Sequence, residues 1–425
     1  RYALDEAAWQ AHLAARPRLV FDPTLVAFLE VIERETGSAG YVENRLGDLA
    51  GQPLDPATVD DAVNAVYGTG GFERMDWRPR RRGDAVGLEG APVDKRWGPN
   101  FLRFGLRLSD DFQGRNTYQM VFESTSTGLN RAGAEWRNTL SLGEYAGLRS
   151  EWYQPTGQLS EFFVQPYADY RAYELPLRVD DRVVADFRLT RLRLGIDAGW
   201  NLSPIERLVV GLVRGHSDID QRVGSIGIDA GLDGAFGAVS AGYARDTLDS
   251  ALFPTTGARF EVGGLLFRDA LVSDEDGEIL RLSFDRAWNA GKHRWLLGAR
   301  GQASWGEPDA VAGLAELGGF LNVSGYGERE LLGLNSLLLR AVYYRRLGAE
   351  GALFTLPAYV GGSLEAGNVW FERRHMAFGA LRIAGSVFLG VESPLGPVFV
   401  GYGRSEGGID QFYLHFGSLL RPAQP

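Results

Sequence analysis

From about residue 100 onward, apolar residues recur at every second position in runs of about ten, divided by clusters of Gly, Pro, Asn and Asp. That period belongs to extended strands, whose side chains alternate between two faces. In one run Leu192, Leu194, Ile196, Ala198 and Trp200 share a face, and Arg191, Arg193, Gly195, Asp197 and Gly199 share the other. In a second, Trp295, Leu297, Ala299, Gly301, Ala303 and Trp305 oppose Leu296, Gly298, Arg300, Gln302 and Ser304. The stripe Phe162, Val164, Pro166, Ala168 and Tyr170 repeats the pattern, as does Phe412, Leu414 and Phe416 against Gln411, Tyr413 and His415.

Trp295 and Trp305 bracket an apolar band. At ~3.3 Å per residue and a tilt near 40°, the indoles stand roughly 25 Å apart along a membrane normal, the height between the aromatic girdles of a transmembrane β-barrel. Trp200 ends its stripe in the same way. No Pro/Ser-rich linker interrupts residues 101–416, as several soluble sandwiches in series would require. A closed sheet satisfies every backbone donor and acceptor inside lipid. At roughly 20 residues per strand and connection, this length predicts an antiparallel barrel of about sixteen strands. The 56 glycines among 425 residues then serve tight turns and smooth patches of inner wall that a loop can approach.

The chain before the barrel has another period. Asp55-Pro56 starts a helix carrying Val59, Val63, Val66 and Tyr67 on one stripe, and residues 68–71 (Gly-Thr-Gly-Gly) stop it. With a strand at 26–32, a helix at 41–49 and strands at 73–80 and 84–89, this is a small α+β module. The predicted division is 1–20 linker or helix from an upstream domain, 21–97 module, 98–419 barrel and 420–425 tail. Residues 1–9 read as the middle of a helix, which predicts a fragment or processed chain.

The balance of 44 Lys+Arg against 54 Asp+Glu gives a net charge of −10, which disfavours nucleic acid and anionic lipid surfaces as partners. The absence of cysteine excludes a disulfide scaffold, a thiolate zinc site and a Cys nucleophile. No stretch reaches the roughly 18 uncharged apolar residues of a membrane helix.

Four segments resemble the BamA/TamA/FhaC superfamily of outer-membrane assembly and secretion barrels: Asp246-Thr247-Leu248-Asp249 with Phe253-Pro254-Thr255-Thr256-Gly257; Val323-Ser324-Gly325-Tyr326; Gly367-Asn368-Val369-Trp370; and Ser393-Pro394-Leu395-Gly396-Pro397-Val398. The module before them resembles one POTRA domain, with Gly71-Phe72 at its turn. Residues 110–114 (Asp-Asp-Phe-Gln-Gly), 129–131 (Leu-Asn-Arg), 135–137 (Glu-Trp-Arg) and 153–155 (Tyr-Gln-Pro) resemble the patatin-fused branch of type V secretion that includes patatin-like protein D.

The resemblance implies a Gram-negative outer-membrane barrel with its POTRA-like domain in the periplasm. That barrel would anchor an N-terminal patatin-like phospholipase, translocation being the family's activity. Implied partners are outer-membrane lipids, the covalently linked passenger, a second copy in a homodimer, and the barrel assembly machinery during biogenesis. No cofactor, metal or nucleic acid is implied. A weak seam between first and last strands would involve Phe101, Phe104, Phe412, Leu414 and Phe416. The lumen loop would be Val323, Ser324, Gly325 and Tyr326, with Arg329 as a candidate for the family's loop arginine, whose position Ser324 occupies. A passive pore or purely structural anchor, and a soluble all-β enzyme or lectin, are the alternatives.

Nothing else in the chain reads as catalytic. Gly403-Arg404-Ser405-Glu406-Gly407 matches G-x-S-x-G, but strands flank it where a nucleophile elbow needs strand then helix. His12, His216, His293, His375 and His415 lie far apart, and residues 274–278 lack the further ligands of a calcium loop. The basic run Arg78, Arg80, Arg81 and Arg82 is read as a solvated turn or an acidic-surface dock.

Overall fold

The computed structural model describes residues 24–32, 39–67, 72–94, 100–110, 116–130, 132–156, 161–179, 182–223, 232–250, 253–274, 276–306, 313–347, 357–393 and 396–416. They belong to two compact units, Arg1–Gly98 and Pro99–Pro425. The predicted segment 1–20 and tail 420–425 lie outside the described residues.

In the first unit, β1 (Leu29–Val31), α1 (Ala39–Leu46), α2 (Pro56–Tyr67), β2 (Phe72–Arg82) and β3 (Ala85–Asp94) follow the order expected from the sequence. The sheet runs β1-β3-β2, with β1 parallel to β3. Asp55 caps α2 by accepting from Thr58 N (3.0 Å) and Oγ1 (2.7 Å), and these bonds hold its pKa below the usual carboxylate range. Val59, Val63 and Val66 pack with Val26, Val42 and Leu88. Tyr67, expected on the same stripe, is instead exposed, its hydroxyl 3.5 Å from Glu73 O. The basic run is largely consumed inside the sheet: Arg78 and Arg80 clasp the buried Glu89, and Arg82 reaches Glu30.

The second unit contains β4 (Asn100–Asp110), β5 (Asn116–Ser126), β6 (Glu135–Gly143), β7 (Tyr145–Thr156), β8 (Phe162–Val179), β9 (Arg182–Ser203), β10 (Glu206–Val223), β11 (Leu232–Asp246), β12 (Gly257–Phe267), β13 (Gly277–Ala290) and β14 (His293–Gly306). Short β15 (Ala315–Leu317) and β16 (Leu331–Gly333) lie within one loop, before β17 (Asn335–Leu347), β18 (Ala358–Trp370), β19 (Arg382–Ser393), β20 (Gly396–Ser405) and β21 (Asp410–Phe416). All except β15 and β16 join in one closed antiparallel barrel of sixteen strands, the number that length predicts.

Alternation sorts the side chains as the sequence requires. On β9, Leu192, Leu194, Ile196, Ala198 and Trp200 are exposed outward. Toward the N-terminus of β9 the polarity inverts: Thr190, Arg188 and Asp186 point out, while Leu189, Phe187 and Ala185 are buried inside. The apolar exterior thus has an edge, as a lipid-facing band does. At the end of the barrel where β4 starts, Trp200 stacks on Phe162 (5.6 Å), and Trp295 packs on Trp288 (6.2 Å) and Tyr343 (5.6 Å). Trp136 faces Trp152 across β6 and β7 at that same end. Trp305 lies at the opposite end of β14, under the Arg373 guanidinium at 4.7 Å.

Candidate functional site: a braced lumen and the closing seam

The loop between β14 and β17 is built for close approach to the inner wall. Its ribbon β15–β16 pairs Ala315–Leu317 with Leu331–Gly333. Between them Leu321 (φ 59°), Val323 (φ 69°) and Arg329 (φ 56°) hold left-handed backbone that a branched residue such as Val323 resists. Such strain, of order 1–3 kcal/mol per residue, persists only where packing over-determines it. Val323 is fully buried. A β-carbon at Gly367 would stand 2.8 Å from Val323 Cγ2, and one at Gly403 would stand 2.6 Å from Ser324 Cβ. These inward glycines form the smooth wall that the composition suggested.

At the tip, Ser324 meets Glu365 of β18. The Ser324 amide donates to Oε2 at 2.7 Å and its hydroxyl to Oε1 at 2.8 Å, while Ser363 Oγ donates to Oε1 at 2.5 Å. Glu365 is 2 % exposed, so these bonds replace the water it gave up. A serine cannot pair ionically with this acid; hydrogen bonding, half of it from the main chain, does the holding. Gly325 N donates to Tyr413 Oη at 2.9 Å, and Tyr413 Oη donates to Tyr326 O at 2.9 Å. Tyr326 is fully buried beneath Arg382, which donates to its hydroxyl.

Arg329 does not stand in for the missing arginine at Glu365. It pairs with Glu316 of β15 at 3.2 Å and lies over the rings of Tyr145 (4.3 Å) and Tyr173 (5.2 Å). Tyr173 Oη in turn donates to Glu316 at 3.1 Å. The ribbon is thereby tied to β7 and β8, while the tip is tied to β18, β20 and β21. Nearby Arg107 meets Glu328 at 3.1 Å. Between β6 and β7, burial and the neighbouring Glu328 push the pKa of Glu144 up to about 7.

The loop between β11 and β12 enters the lumen at the other mouth. Asp249 accepts from Thr255 N (2.7 Å) and Thr256 N (3.1 Å). Burial alone would raise the Asp249 pKa, but these bonds and that from the Thr255 hydroxyl outweigh it and lower the pKa. The turn so formed presents Phe253, 3 % exposed, to stack on Tyr359 (4.1 Å) and Phe399 (4.8 Å). Tyr344 Oη donates to Pro254 O. Phe320 of the lumen loop lies 6.2 Å from the same Phe399 and 5.6 Å from Tyr413.

At the seam, β21 pairs with β4 only from Phe412↔Asp110 to Phe416↔Leu106 among the described residues, whereas β4 pairs with β5 along its whole length. Phe104 lies 6.2 Å from Phe416 across the join, and Leu414 faces Leu108. Phe101 lies beyond the described part of the seam. It pairs with Thr125 of β5, below the last seam pair, and its parity puts it on the inner face, opposite to the exposed Leu102.

The residues resembling the patatin-fused branch have work within the wall. Asn130 folds its turn by accepting from Ala132 N (3.0 Å) and Ala134 N (3.1 Å) and donates to Gln154 (2.8 Å), while Arg137 pairs with Glu151 (2.8 Å). Residues 111–115, 131 and 394–395 lie outside the described set. Ser405 closes a strand–turn–strand hairpin, accepting at no helix N-terminus: its amide donates to Ile409 O at 2.8 Å. Asp274 and Asp276 accept from Ala235 N and Asp269 N, which accounts for two of the acidic-loop carboxylates. Sequence reasoning missed Glu365, Ser363, Tyr413, Arg382 and Phe320. Their one signal was parity: Glu365, Ser363 and Tyr413 occupy inward positions of strands whose outward positions are apolar.

No protein-family model and no curated protein matches this sequence. Among solved structures it is similar to BamA from Haemophilus ducreyi lacking POTRA domains 1–3, with a TM-score of 0.72 and 12% identity over 92% of this chain and 84% of that one. It is also similar to CdiB from Acinetobacter baumannii (TM-score 0.61, 13% identity, 92% and 74% of the two chains) and CdiB from Escherichia coli (0.61, 12%, 92% and 76%). The chain therefore has the sixteen-stranded barrel fold of BamA and CdiB.

Proposed function

We propose that this chain is a Gram-negative outer-membrane barrel of the assembly and secretion type. In this reading residues 24–94 form a POTRA-like module in the periplasm. The barrel anchors an N-terminal patatin-like phospholipase passenger, and the β21–β4 join is where the wall opens for it. The observation that carries the membrane assignment is the closed sheet with an outward apolar band edged by aromatic residues. The braced loop supports a barrel that changes shape over an open pore, because Phe320 and Phe253 pack across part of the lumen. Support for the passenger is the resemblance of residues 110–114, 129–131, 135–137 and 153–155 to the patatin-fused branch.

Two measurements test this. The folded protein should leave membranes only with detergent and should run faster on a gel unheated than boiled; solubility in plain buffer refutes the membrane assignment. Protease added to intact cells should cut the passenger if it is carried to the surface. A passenger spared by protease while the barrel is folded refutes translocation and leaves an anchor.

A further inference from the structure

The loop tip occupies the side of the lumen formed by β18, β20 and β21, and the inner wall of β7–β9, β13 and β14 has a different chemistry. Asp169 of β8 is 1 % exposed and meets three arginines: Arg193 at 2.9 Å, Arg171 at 3.2 Å and Arg149 at 4.0 Å. Arg149 also shares Glu151 with Arg137. On β13 and β14, Arg281 and Arg300 point inward with no carboxylate within 4.0 Å among the described residues. Among the described residues Arg281 hydrogen-bonds only Gln302, at 2.8 Å, and Arg193 is the first charge acting on it from another strand. Among the described residues no hydrogen bond is found for Arg300, whose Nε is shielded from solvent. Asp285, the nearest acid on β13, is already paired with Arg340 at 2.7 Å. Glu316, the acid facing Arg281 from the loop, is paired with Arg329.

On these strands seven inward arginines (149, 171, 191, 193, 281, 294 and 300) thus face four inward carboxylates (Glu151, Asp169, Asp197 and Asp285), a surplus of three positive charges in a chain whose net charge is −10. Guanidinium groups left partly desolvated and unpaired are costly unless an anion completes them, and their forked donors suit the oxygens of a phosphate group. We propose that this wall is an anion site inside the barrel, centred on Arg281 and Arg300, that takes a multivalent oxyanion of the phosphate class. A lipid headgroup is excluded as the occupant by position, since these residues face the lumen and lipid meets the opposite parity.

Inorganic pyrophosphate titrated calorimetrically into the folded barrel in uncharged detergent tests the site. Saturable binding is expected, weakened at least tenfold in Arg281→Gln and in Arg300→Gln, and unchanged in Arg214→Gln, an outward arginine of β10. Each variant is first checked for the unheated gel mobility of the closed barrel, and the two single substitutions each retain one charge should their combination not fold. Absence of saturable binding to the parent chain overturns the site, as does equal loss in Arg214→Gln. Neither result bears on whether the barrel sits in an outer membrane.

Discussion

Replacing Gly325 with alanine should release the lumen loop without dissolving the barrel. Gly325 has φ of 105°, outside the range that residues with a β-carbon adopt, so alanine adds strain of order 1–3 kcal/mol. The new methyl would also stand 2.6 Å from Ile409 O and 2.6 Å from Ser405 N. Both atoms are backbone of the hairpin joining β20 to β21 and cannot rotate away, so overpacking adds about 1–3 kcal/mol more. Together these cost about 2–6 kcal/mol, and each 1.4 kcal/mol is tenfold, so the open population of the tip rises between roughly 30-fold and 10⁴-fold. Amide hydrogen exchange of peptides covering residues 318–328 in detergent reads that change directly. Gly407→Ala is the comparison: its φ is 86° but nothing lies within 4 Å, so it bears the strain alone, at its own turn. Protection at 318–328 unchanged within threefold in a folded Gly325→Ala barrel would falsify the claim that the tip is held by fit against this hairpin.

The holding of Ser324 should be graded. Ser324→Ala removes one of its two bonds to Glu365, for about 1–2 kcal/mol, whereas Glu365→Ala strands buried donors and costs about 2–6 kcal/mol by the same exchange measurement; equal effects would refute the main-chain contribution. Cysteines at Leu108 and Leu414, cross-strand partners in a chain with no other thiol, should form a disulfide that abolishes surface delivery of the proposed passenger, restored by reductant; delivery through the oxidised seam sinks the proposed opening mechanism. Glu144 has a pKa raised from 4.5 to about 7, so the folded state binds more protons than the unfolded one between those values. Its contribution to stability is full below about pH 4.5 and is lost as pH rises through about 7. Loop protection should therefore fall from pH 5 to pH 8, and Glu144→Gln should flatten the profile; an equally steep profile in that variant refutes the assignment.

Much of the barrel was legible because alternation is a one-dimensional signal. The stripe from Leu192 to Trp200 and the band from Trp295 to Trp305 fix which face is outside, and length fixes how many strands close the ring. Phe101 shows the limit of such reading, because nearness in sequence to Phe104 says nothing of parity: Phe101 takes the inner face and Leu102 the outer. The site was less legible. Val323 to Tyr326 could be picked out as a loop motif, but its seat is assembled from residues 365, 382 and 413, whose meeting depends on closure of the whole sheet. Nor does sequence reveal that a main-chain amide can serve where an arginine was expected, since every residue but proline has one.

One ring joins the two mouths. Phe399 touches both Phe320 and Phe253, so the two inserted segments rest on a shared support. Energetic linkage between such seats is reciprocal: a cargo that dislodges the upper segment lowers the work of freeing the lower one, and conversely. The barrel would then answer a signal arriving at either entrance. Faster amide exchange at residues 253–256 in Gly325→Ala would register that conversation, and unaltered exchange there would show the two entrances to be independent.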